Sequence, residues 1–215
     1  MNKDMYNKFK KYYFKDKDPD SISDDFVDVI VSSNEVLTKY FQEGKGRLQI
    51  AKEMSSHKNV VGSAMSSNIE KISILYDIFV KTNQDINLVK SLLNVKFLDK
   101  YAEDVVALHN KGINNALMYI RFTKLYFPKL LGKLGKLSKN YFNFVDEMLS
   151  RKPILKQYFK EEKSLSLIAE SFGIKESSVM DKIYFERHYI KKCHENYLIA
   201  ISEMKKRKNI ENVKK

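Results

Sequence analysis

The sequence predicts an all-α protein, and three observations carry that prediction. Lys, Leu and Ile are among the commonest residues, and Lys and Leu are good helix formers. Seven glycines and three prolines are few for a chain rich in strands or linkers. Apolar residues recur near helical spacing along much of the 215 residues, enough to bury one large core or two small ones. No stretch of eighteen apolar residues occurs, so no transmembrane segment is expected. The basic start MNKDMYNKFKKYYFKDKD lacks the apolar run and small-residue cleavage site of a signal peptide. Cys193 is the single cysteine and cannot form an internal disulfide, so a reducing, cytoplasmic setting is expected.

The formal net charge is +12 and the pI about 9.4, a balance that favours polyanionic partners: nucleic acid or an anionic membrane surface. Arginine occurs only at Arg47, Arg121, Arg151, Arg187 and Arg207, so lysine supplies nearly all of the charge. A soluble basic protein with solvated lysines is the plain alternative.

Residues 1–18 mix lysines with Tyr6, Phe9, Tyr12, Tyr13 and Phe14, the pattern of a short helix whose aromatic face docks on the body. Asp18-Pro19-Asp20 breaks it, because the residue before proline is pushed out of the α region. Ser21 or Ser23 then caps a helix in which Phe26, Val29, Ile30, Val36, Leu37, Tyr40 and Phe41 recur up to Gln42, with Gly44 and Gly46 ending it. Between residues 69 and 127 three apolar stripes follow. They run from Ile69 to Phe79, from Leu88 to Leu98, and from Val105 to Phe122 with an interruption at Gly112; all three are read as core. Lys152-Pro153 opens the last region, since proline fits the first turn of a helix. Beyond Ile183 the periodicity continues through Tyr184, Ile190, Tyr197, Ile201 and Met204, a long terminal helix of the kind that pairs with its twin in a dimer. The tail KKRKNIENVKK suits non-specific phosphate contact.

Residues 165–183, LSLIAESFGIKESSVMDKI, read as two short helices joined by a tight turn. Ile168 and Ala169 form the buried face of the first helix, and Val179 and Ile183 the inner face of the second. Gly173 sits at the turn, where a positive φ costs little without a Cβ. Ala169 is small enough to let the helices cross closely, and Ile174 fills the space between them. Over about twenty residues this spacing resembles the helix-turn-helix repressor superfamily. The resemblance implies a DNA-binding function. Ile50-Ala51 stands ten residues ahead of Val61, as Ile168-Ala169 stands ahead of Val179, so residues 48–65 are read as a weaker second copy. Ser55 replaces its turn glycine and Ser56 the apolar residue after it, and an ordinary amphipathic hairpin remains the alternative there.

The first unit's outward residues are expected to be His57, Lys58, Asn59, Ser63, Ser67 and Lys71. Asn pairs with adenine edges, and Lys and Ser reach phosphates or bases. In the second unit they are Lys175, Glu176, Ser177, Ser178, Asp181 and Lys182, with Arg187 beyond. Glu176 and Asp181 face phosphates unfavourably, so docking a partner protein, or dimerisation, is the alternative for that unit. Residues 121–140 carry six basic residues and no acid. Lys129, Lys133 and Lys136 are expected on one helical face, either tracking phosphates or lying on an anionic membrane. Gly132 and Gly135 weaken such a helix or permit close packing.

The case for catalysis is weak. His57, His109, His188 and His194 are scattered, and His188, Cys193 and His194 lack the spacing of a metal site. There is no glycine-rich phosphate loop, no arginine-rich recombinase cluster and no dense acidic cluster.

The expected organisation is an N-terminal helical domain over 1–82, a central helical region with a basic stripe over 83–150, and a helix-turn-helix domain with a long helix over 151–215. The expected protein is a cytoplasmic, DNA-binding transcriptional regulator, plasmid- or phage-borne, that is not an enzyme and takes no cofactor or metal. Double-stranded DNA is the expected partner, bound by a homodimer on two half-sites. The alternatives are a plasmid partition or replication protein, and an adaptor that binds another regulatory protein.

Overall fold

A computed structural model describes residues 3–96 and 98–213, with side chains described as far as Arg207. The end of the basic tail therefore lies outside the described side chains. Every regular element among the described residues is helical, so the all-α class holds. The chain divides into two compact units, residues 1–106 and 107–215.

In the first unit α1 (Lys3–Tyr13) is followed by α2 (Asp24–Ser32), a short α3 (Glu35–Leu37) that widens into a π turn over Thr38–Gln42, α4 (Arg47–Glu53) and α5 (Lys58–Lys81). The aromatic face of α1 docks as its sequence predicts: Phe9 is fully buried, and its ring packs 5.2 Å from that of Phe41. Asp18 accepts a hydrogen bond from the Asp20 amide at the Pro19 break. The helix expected to run unbroken to Gln42 is interrupted, because the Asn34 side chain accepts from the Val36 and Leu37 amides and starts α3 afresh. Asn83 and Gln84 then take left-handed backbone conformations, and Asp85 caps α6 (Ile86–Leu92). That helix folds back on α2 and α5 and buries Val89 and Leu92 completely.

The second unit starts within α7 (Ala102–Asn110), whose last residues belong to it, and then repeats the first. Its elements are α8 (Ala116–Tyr126), α9 (Lys139–Arg151), α10 (Pro153–Leu155) with a π turn over Lys156–Lys160, α11 (Leu165–Phe172) and α12 (Glu176–Val213). Residues of α1 recur 113 positions later: Met5, Tyr6, Phe9, Lys11, Tyr13 and Phe14 match Met118, Tyr119, Phe122, Lys124, Tyr126 and Phe127. From α2 onward the offset is 118. Phe26-Val27-Asp28 matches Phe144-Val145-Asp146, Tyr40-Phe41 matches Tyr158-Phe159, and Ile50-Ala51 and Val61 match Ile168-Ala169 and Val179.

The packing repeats with the residues. Tyr6 donates to the Asp28 carboxylate at 3.1 Å, and Tyr119 to Asp146 at 3.0 Å. The Tyr13 hydroxyl donates to the Met65 carbonyl at 3.2 Å, and Tyr126 to Ile183 at 2.9 Å; these tie α1 to α5 and α8 to α12. Lys8 lies 4.0 Å over the Tyr40 ring and Arg121 5.2 Å over that of Tyr158. Phe14 packs 4.9 Å from Tyr76, and Phe127 packs 4.9 Å from His194, the residue at the equivalent place.

Two regions differ from expectation. The structure divides the chain in two where three segments were expected, because α9 packs on α8, α10 and α12 and so belongs with the C-terminal half. Residues 121–140 do not form one helix. α8 ends at Tyr126, Pro128–Leu130 and Leu134–Lys136 form single 3-10 turns, and Gly132 between them has φ +73. A Cβ on Gly135 would lie 2.5 Å from the Ala107 Cβ, so this glycine permits close packing against α7.

Candidate nucleic-acid interface

Each unit contains two helices joined by a tight turn, α4 and α5 in the first and α11 and α12 in the second. In the second, Ser164 caps α11 by accepting from the Leu167 amide, and Gly173 turns the chain at φ +62. Ile168, Ala169, Val179 and Ile183 are buried, as the sequence predicts. The first unit makes the same turn without glycine, with Ser55 in the left-handed region at φ 48. The Ser56 amide donates to the Ala51 carbonyl at 2.8 Å, just as the Ile174 amide donates to that of Ala169 at 3.0 Å. Residues 48–65 therefore close the same kind of tight turn between two helices as residues 165–183. His57 caps α5 by accepting from the Asn59 amide through Nδ1.

The inward residues of α5, Val61, Met65 and Ile72, fix which residues face outward. These are Asn59, Ser63, Ser66 and Ser67, all exposed, with Glu70 at the far end. Lys58 is exposed at the first turn, and Lys52 is exposed on α4. A Cβ on Gly62 would lie 3.5 Å from the Arg47 guanidinium, near the same end. Among the described residues Lys52 and Lys58 form no ion pair, so both are available to an anion. The face is thus a row of small polar side chains flanked by cations, on a helix held by the Tyr13 hydroxyl.

Lys71 is half-buried, and its ammonium donates to the Leu93 carbonyl at the end of α6, so it caps a neighbouring helix; burial lowers its pKa. Sequence reasoning missed Ser66, Lys52 and Arg47, although a helical wheel anchored on Val61, Met65 and Ile72 would have returned Ser66.

The second unit presents a different surface. Lys175, Glu176, Ser177, Asp181, Lys182 and Arg187 are exposed, while Ser178 is half-buried. The residues facing outward along α12 are Ser177, Asp181, Tyr184, Phe185 and His188. Phe185 is 81% exposed and Tyr184 54%. Tyr184 was read from the sequence only as part of the terminal helix's periodicity, and Phe185 beside it went unnoticed. Lys129, Lys133 and Lys136 are all exposed, but two separate turns carry them and no single helical face does.

His194 packs against aromatic rings. It is half-buried among Phe127, Tyr141 and Phe144, and burial pushes its pKa below the usual histidine value. Among the described residues no three His, Cys, Asp or Glu side chains gather as they would around a metal ion, and no helix is long and apolar enough to cross a membrane. Comparison with family models, with characterised proteins and with solved structures returns no match.

Proposed function

We infer that the protein is a DNA-binding regulator whose first unit carries the reading helix. The observation that carries this reading is the outward face of α5. Asn59, Ser63, Ser66 and Ser67 are small enough for the helix to approach base edges closely. Lys58, Lys52 and Arg47 stand beside them, where phosphates lie. Asn supplies the donor and acceptor pair that matches adenine, and lysines supply affinity without sequence preference. Lys129, Lys133 and Lys136 add exposed positive charge in the second unit. Transcription control is the role proposed, and partition or replication of a plasmid uses the same chemistry.

The test is a titration on random genomic fragments at two salt concentrations, with sequencing of what is retained. A short enriched site that survives the higher salt supports the reading, whereas uniform binding that vanishes with salt refutes it. Asn59→Ala should relax preference at one base pair and cost about 1–3 kcal/mol on the preferred site. Lys58→Ala should weaken all sequences alike and reduce the salt slope by about 1. The proposed homodimer predicts two chains per site by native mass, and a strict monomer on DNA would remove that part.

A further inference from the structure

The second unit holds a cleft of about 1100 Å³ between α8, α9 and the loop before α8, space enough for a metabolite. One face of α9 walls it, because Lys139, Phe142, Asn143, Asp146, Glu147 and Ser150 recur at helical spacing. Lys111 and Lys160 line it as well. The Lys111 ammonium donates to the Leu137 carbonyl at 3.3 Å, which holds the loop against the approach to α9. Among the described residues none of these three lysines sits in an ion pair. The two acids of the cleft are engaged: Asp146 accepts from the Tyr119 hydroxyl at 3.0 Å, and Glu147 pairs with Arg151 at 2.5 Å.

At the cleft, α9 begins in an unbalanced way. Ser138 stands at the cap position without a side-chain hydrogen bond, and Lys139 is the first helical residue. The opening amides of a helix find no partner within it and carry partial positive charge, so a cation there is unfavourable and an anion favourable. The equivalent helix of the first unit is balanced. Moving 118 positions back puts Ser21 at the place of Lys139, and Asp24 and Asp25 at those of Phe142 and Asn143. Lys10 pairs there with Asp24 at 2.7 Å, and the corresponding cleft, at Asp28, Ser32 and Gln42, measures about 350 Å³. The second unit thus combines a cationic helix start with the larger cleft.

We propose that this cleft binds a nucleoside phosphate, the phosphate at Lys111, Lys139 and the opening amides of α9, the nucleoside lying along α9 toward Asp146. A phosphate there satisfies the amides and neutralises the lysine, which are the two things that α9 leaves unbalanced. Asp146 follows Lys139 by seven residues, about 10 Å along the helix axis. Its carboxylate is exposed and, with Asn143 and Ser150, offers hydrogen bonds to hydroxyl and amino groups at that distance from the phosphate. Half-buried Ile113 and Leu137 supply apolar edges for sugar and base. Charge at one end and hydrogen-bonding groups at the other suit a nucleotide better than a bare anion or a fatty acid. The proposal stands apart from DNA reading by α5, which lies in the other unit.

The experiment is isothermal titration calorimetry of the full chain with AMP, GMP, CMP and UMP, and with adenosine and inorganic phosphate as controls. Saturable binding of at least one nucleotide is expected. Adenosine and phosphate should each bind more weakly by about tenfold or more, since each lacks half of the contacts. Lys139→Glu should weaken nucleotide binding by about tenfold or more. Its melting temperature should match or exceed the parent's, because an acid suits the first turn of a helix, so the loss is one of binding and not of fold. Lys191→Glu makes the same charge change at an exposed position of α12 and should bind as the parent does. No saturable nucleotide binding overturns the proposal. Phosphate binding as tight as that of the nucleotides overturns it too, by leaving an anion site with no part for the nucleoside. Equal weakening in Lys191→Glu would assign the effect to net charge and count against it in the same way. Loss of DNA binding in Lys139→Glu, with no nucleotide bound by the parent, would make a DNA backbone the occupant instead.

Discussion

The two units share a frame and differ at the surface and at the end. A tyrosine hydroxyl ties α1 to α5 and α8 to α12, and both units widen a short helix into a π turn before the pair joined by the tight turn. Glu43 pairs with Lys45 at 2.7 Å, as Glu161 pairs with Lys163 at 3.1 Å. Even a substituted contact is kept in kind: the Lys39–Glu53 ion pair stands where Gln157 and Ser171 share a hydrogen bond. The difference begins where α5 stops. Thr82, Asn83 and Gln84 turn the first unit back on itself, whereas the equivalent stretch from Ala200 continues as helix. The cores differ accordingly. Leu75 and Ile78 are buried in the unit that has α6, and the matching positions are the less buried Cys193 and the exposed Asn196. A helix face is apolar where a further helix covers it and polar where none does.

The comparison breaks first if the cores are not energetically alike. Phe9→Ala and Phe122→Ala remove equivalent, fully buried rings, and each should cost about 3–5 kcal/mol in denaturant unfolding. A cost confined to one unit would show that the repetition is geometric only. Gly135→Ala has no counterpart in the first unit. It places a methyl against Ala107, and about 1–3 kcal/mol of destabilisation by overpacking is expected, read as a lower thermal midpoint.

The two turns should respond with opposite signs. Gly173→Ala forces a Cβ into the left-handed region and should destabilise by about 1–2 kcal/mol. Ser55→Gly relieves the same strain and should stabilise by up to about 1 kcal/mol, less whatever extra freedom glycine gives the unfolded chain. Equal signs would mean that the serine turn carries no strain.

The smallest effect is one of pH, and only the second unit should show it. His194 occupies the place of Tyr76, and burial depresses its pKa. The unfolded chain therefore binds a proton more readily than the folded one. The contribution is complete above the unfolded value of about 6.5 and is lost as pH falls from there through the depressed folded value. The melting temperature should be lower at pH 5 than at pH 7.5, and His194→Tyr should reduce that difference. A difference that survives the substitution would assign the effect to other groups.

The turn between α11 and α12 was legible because Gly173 announces it, and because Ala169 and Val179 keep a recognisable spacing. The turn between α4 and α5 was half legible, since a serine gives no warning that it will adopt a positive φ. The outward face of α5 was also half legible: Lys71 reads as exposed until α6 folds back and offers it a carbonyl. The lysines of residues 121–140 read as one helical stripe because their spacing is helical. Proline and glycine then decided otherwise, by breaking the segment into single turns.

The sequence alone determined the helical class, the buried stripes and the charge, because these follow from composition and from local periodicity. It also contained the repetition, open to any comparison of the chain with itself at offsets of 113 and 118. Tertiary structure alone decided which polar residues are free to meet a partner. Whether a lysine points to solvent or caps a neighbouring helix depends on elements distant in sequence. So does whether a phenylalanine in an apolar run is core, as Phe122 is, or stands 81% exposed, as Phe185 does.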